Sequence, residues 1–66
     1  MSDASRLHEI ADAVSQLAEE VADLTLEELR AQAQGDDTAK AREKLLASAR
    51  RSLMKAEHSL RSVDRQ

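Results

Sequence analysis

Sixty-six residues with no cysteine, no aromatic side chain, no proline and one glycine leave room for a single small domain over residues 1–66 and exclude both a disulfide framework and a thiolate metal site. The net charge of −3 hides a division: residues 1–37 carry ten acids against Arg6 and Arg30, and residues 38–66 carry eight bases against Glu43, Glu57 and Asp64. No apolar run is long enough for a secretory signal or a membrane span, so the expectation is a cytoplasmic protein with no membrane partner.

Large apolar side chains beyond Met1 number fourteen (nine Leu, one Ile, three Val and Met54), beside twelve Ala. Aromatic residues normally supply the largest burials in a core. A chain this short without them must build its core from aliphatic seams along helices, and such a core barely offsets the entropy of ordering.

The first element follows Ser2, Asp3 and Ser5, each a competent N-cap. Leu7, Ile10, Val14, Leu17, Val21 and Leu24 then recur at spacings of 3, 4, 3, 4 and 3. That rhythm lays six aliphatic side chains on one stripe of a helix over about 3–24 and requires a partner helix. Glu9, Asp12, Glu19, Glu20 and Asp23 spread over the opposite, solvated sector.

After Leu24 the rhythm fails, because Glu28 would take the next stripe position while Leu26 and Leu29 would turn toward the acids. Thr25 with Glu28 forms a capping-box pattern, and Leu24 with Leu29 a hydrophobic staple. These signals predict a break at Leu24–Thr25 and a short middle helix over about 26–34. The competing possibility is a continuous helix with a second sticky patch at Leu26 and Leu29. Gly35 suits a helix C′ position, and Asp36, Asp37 and Thr38 offer the next N-cap.

The last helix is predicted over about 39–63. Its stripe is Leu46, Ala49, Leu53, Ala56, Leu60 and Val63, widened by Leu45. It is thinner than the first stripe and suited to packing antiparallel against it. The predicted fold is thus all-α: a helical hairpin of two long helices joined through a short third one, assembling into a dimeric helical bundle. The expected partner-helix interface is Leu7, Ile10, Val14, Leu17, Val21 and Leu24 with Leu46, Leu53, Leu60 and Val63.

Opposite the second stripe, Lys40, Lys44, Arg51, Lys55 and Arg65 fall within a narrow sector of the helical wheel. Such a ridge suits phosphates or an acidic protein surface. An ordinary solvated face is the commoner meaning of that pattern, and the acidic overall charge with no stacking residues argues against nucleic acid. Arg50 and Arg61, nearer the stripe, are placed to reach Glu9 or Glu20.

Catalytic patterns are thin. Glu9–Asp12 and Glu20–Asp23 share the spacing E-x-x-D, which resembles half of the magnesium-binding pattern of MazG-like nucleotide pyrophosphatases. Those enzymes pair two such motifs on adjacent helices; here both copies lie on one helix and the last helix has none. His8 and His58 are set far apart by an antiparallel pairing, and no base is positioned to activate a serine. The sequence therefore predicts a non-enzymatic protein–protein interaction or assembly module with no cofactor, metal or small-molecule substrate. Its expected partner is a second copy, a dimer being favoured, or another helical protein. The alternative is a nucleic-acid-associated regulator using the basic ridge.

Overall fold

The computed structural model describes residues 3–63. They form two helices, α1 (Asp3–Ala33) and α2 (Thr38–Val63), packed against each other as an antiparallel hairpin. The predicted N-cap Ser2 lies outside the described residues.

The turn is built from the two local signals that the sequence offers. Gly35, at φ 96°, takes the left-handed conformation that is cheap only without a Cβ. Its N–H donates to the carbonyl of Gln32 (2.9 Å), and the Asp36 N–H donates to the carbonyl of Ala31 (3.0 Å). These two bonds close a Schellman motif on α1. Asp36 then opens α2, its Oδ1 accepting from the N–H groups of Thr38 (3.0 Å) and Ala39 (3.3 Å).

The break at Leu24–Thr25 and the separate middle helix are corrected by this fold: α1 runs unbroken through both positions to Ala33. The groups that would have made the capping box are used otherwise. The Thr25 hydroxyl donates to the Val21 carbonyl one turn back (3.0 Å), so it needs no cap role. Glu28 instead accepts from Arg42 of α2 at 2.8 Å. Continuation leaves Leu26 and Leu29 exposed, which is the competing arrangement that the spacing also allowed.

Burial follows a different line from the one drawn by the largest side chains. The residues turned toward α2 are Leu7, Ala11, Val14, Ala18, Val21 and Thr25, spaced 4, 3, 4, 3 and 4. On α2 the corresponding line is Ala39, Glu43, Leu46, Leu53, Glu57 and Leu60. Among the described residues only Ala11, Ala18 and Ala39 are buried, each at most 5% exposed, and no large side chain is fully buried. Alanine at a helix contact lets the axes approach to about 8 Å, yet it removes little apolar area from water. Near the turn the Gln32 Nε2 is buried without a hydrogen-bond partner, a cost of roughly 1–3 kcal/mol.

The result is a slab of 50 × 17 × 11 Å, one helix thick. Its radius of gyration, 15.3 Å, exceeds the ~11 Å of a compact domain of this length.

Close contact along the alanines makes Ala18 intolerant of bulk. Ala18→Leu is expected to destabilise the protein by about 1–3 kcal/mol, read as a lowered denaturant midpoint; an unchanged midpoint would show that the helices do not touch there.

Candidate functional site

The hairpin has two broad sides, and they differ in chemistry. On one side Ile10 and Val63 meet over a shallow hollow with Leu7 and Arg6. Steps of seven residues keep to one line along a helix in such a packing. From Ile10 the line continues through Leu17 and Leu24, and from Val63 back through Ala56 and Ala49. All six are exposed; the four larger ones are between 44% and 53% exposed. Behind them Leu7, Val14 and Val21 with Leu46, Leu53 and Leu60 are only half-buried.

The outer margin of this side lies four residues before each of those positions. On α1 it is Arg6, Ala13 and Glu20, a line that Glu27 extends by one further step of seven, and on α2 it is Leu45, Ser52 and Ser59. Leu45 is the most exposed of the large apolar residues, at 72%. The side is therefore an apolar strip bounded on one edge by Arg6, Ala13, Glu20 and Glu27 and on the other by small or apolar residues. Ile10, Leu17, Leu24 and Val63 thus stand in one exposed line along this side.

The opposite side carries a second hollow lined by Ala22, Thr25, Leu26, Ala47, Arg50 and Arg51. Leu26, Leu29 and Met54 are exposed there, but Arg50, Arg51 and Arg61 interrupt them. No continuous apolar strip forms.

Two arginines hold the helices together at opposite ends. Near the turn, Arg42 donates from Nε to Glu28 (2.8 Å), from one terminal nitrogen to the Thr38 hydroxyl (2.8 Å) and from the other to Asp36 (3.1 Å). Toward the open end, Arg61 donates to Asp12 (2.9 Å) and to Glu57 (3.0 Å). Both guanidiniums are held more firmly protonated than usual, Arg42 first by its bond to Glu28 and Arg61 first by its bond to Asp12. The carboxyl of Asp36 titrates below its ordinary 3.8, chiefly because the Thr38 hydroxyl and then Arg42 bond its charged form. These are surface pairs, so they fix geometry more than they add stability.

No family model, curated protein or solved structure matches this chain.

Of the expected interface, Leu7, Val14, Val21, Leu46, Leu53 and Leu60 are half-buried between the helices, while Ile10, Leu17, Leu24 and Val63 stand on the open strip. The two sets lie side by side on the same face. Lys40, Lys44, Arg51 and Lys55 are exposed on α2, as their sector required; Arg65 lies outside the described residues. Arg61 finds Asp12 rather than Glu9 or Glu20. Among the described residues no three His, Asp or Glu side chains are grouped to hold a metal ion, and no helix is long and apolar enough to cross a membrane. Leu45, which widens the second stripe in the sequence, stands at the margin of the strip, and the clasp role of Arg42 is not apparent from spacing. Leu45 lies four residues before Ala49 of the Ala49, Ala56 and Val63 line, which is the signal for its place.

The depressed Asp36 titration has a defined sign. A carboxyl with a lowered folded pKa contributes stability above its unfolded value, near 3.8, and loses that contribution as pH falls through the folded value. Thr38→Ala removes the largest cause, so the Asp36 carboxyl midpoint is expected to rise toward 3.8, followed by carboxyl-carbon NMR; a midpoint that stays put would assign the shift to Arg42.

Proposed function

We propose that this protein is a non-catalytic protein–protein interaction or assembly module that works by docking its Ile10–Leu17–Leu24 face onto another helical surface. The observation that carries the reading is the mismatch between what the hairpin buries and what it exposes. Three alanines are buried, while Ile10, Leu17, Leu24 and Val63 remain about half exposed on one side. A helix hairpin with so small a seam draws its stability from whatever covers that side.

The composition of the strip supports a helical partner. Large residues on α1 (Ile10, Leu17, Leu24) flank small ones on α2 (Ala49, Ala56), a relief that accepts the ridges of further helices. The basic residues Lys40, Lys44, Arg51 and Lys55 lie away from the strip and stay solvated when it is covered, which leaves them to solubility in this reading.

The test is a photo-crosslinking amino acid placed at position 17 in the full chain, expressed in its native host. Ultraviolet light is expected to join position 17 to a polypeptide, and the same probe at position 55 to give far less. A helical variant that yields no polypeptide adduct from position 17 would remove the reading.

A further inference from the structure

We propose that the occupant of the strip is a second copy of this chain, docked antiparallel across a two-fold axis at Leu17 so that α1 lies on α1 and α2 on α2. The inference rests on the docking reading above and names its partner.

The first argument is symmetry. An isologous interface requires that the surface match itself after a half-turn. In an antiparallel pairing of α1 with its copy, residues whose numbers share one midpoint meet. Ile10 and Leu24 have their midpoint at Leu17, which then meets itself. On the margin, Arg6 with Glu27 and Ala13 with Glu20 share a midpoint half a residue away. The apolar line and the charged margin therefore have one common centre. About that centre each Arg6 faces Glu27 of the second copy, and each Glu20 faces Ala13 of the second copy rather than another acid.

Arg6 and Glu27 are the second observation. They lie 21 residues apart on one unbroken helix, about 32 Å, so they cannot meet within a chain. Among the described residues neither takes part in an ion pair. Two reciprocal pairs in the dimer relieve both.

On α2 the same axis falls at Ala56, which stands level with Leu17 in the register that joins Ile10 to Val63. Ala49 then meets Val63 of the second copy, Ala56 meets itself, and Ser52 on the margin meets Ser59 of the second copy. All but Val63 are small, and none is charged. The thin stripe of α2 thus has a use: it lets the two layers close on the axis.

Area agrees. The hairpin exposes 5081 Å², whereas a compact monomer of 7.3 kDa exposes about 4,200 Å². The excess, near 900 Å², is the size of one partner's share of a standard interface, about 800 Å².

The chain has no cysteine, so single cysteines report the axis cleanly. In the full chain, Leu17→Cys and, separately, Ala56→Cys are expected to give a disulfide-linked dimer under mild oxidation, since each position meets its own copy within disulfide reach. Lys55→Cys, on the far side, is expected to stay largely unlinked. Sedimentation at low salt gives the second readout. Arg6→Glu and Glu27→Arg should each weaken dimerisation by about tenfold, and the two together should restore it.

A protein that sediments as a monomer at every concentration overturns the proposal. So does a dimer in which neither position 17 nor position 56 links and the charge swap gives no rescue. If the purified chain is a monomer yet position 17 still crosslinks to a different polypeptide in cells, the second copy is excluded and the docking reading stands. If position 17 gives no adduct at all, the docking reading itself falls.

Discussion

Everything in this structure depends on the contact between two helices along alanine. Ala11 and Ala18 of α1 are buried, and their lack of bulk allows the helices to approach closely. The same smallness means that the contact removes little apolar surface from water, at roughly 25 cal/mol per Å². A fold held by such a seam is thin in both senses. It is one layer of helices, where a stable domain has two layers around a core. Large side chains are displaced to the flank, where Ile10, Leu17, Leu24 and Val63 stay about half exposed.

The charges are arranged consistently with that division of labour. Arg42 and Arg61 clasp α1 to α2 at opposite ends of the hairpin through Glu28 and Asp12, while Asp36 in the turn and Glu57 on α2 hold the two guanidiniums in place. They give up little when exposed, so they can orient the helices without belonging to a core. The remaining bases of α2 stay on surfaces away from the apolar strip, while the margin of the strip on α2 is Leu45, Ser52 and Ser59. Uncharged margins are easier to desolvate than charged ones.

The helices, the hairpin and the turn were legible from the amino-acid sequence because each depends on local chemistry. Gly35 provides the left-handed residue and Asp36 the cap, and no distant contact is needed to choose them. The break at Thr25 was misread for an equally physical reason. A threonine followed by Glu28 satisfies a capping box, but the same hydroxyl is satisfied by the Val21 carbonyl and the same carboxylate by Arg42. Only the position of α2 decides between them. The stripe presented a related ambiguity. Leu7, Val14 and Val21 belong both to a line through Ile10, Leu17 and Leu24 and to a line through Ala11 and Ala18. Periodicity weighted by side-chain size selects the first, whereas the closest packing of two helices selects the second. The exposed apolar strip is the difference between those two lines.

The central claim is that the hairpin is half of a helical core and does not hold its structure without a covering surface. The most direct measurement follows helicity and mass together as the purified full chain is diluted. Both are expected to fall together, with a melting temperature that rises with protein concentration, because folding is linked to association. A fully helical 7.3 kDa monomer that melts cooperatively at a temperature independent of concentration would contradict it.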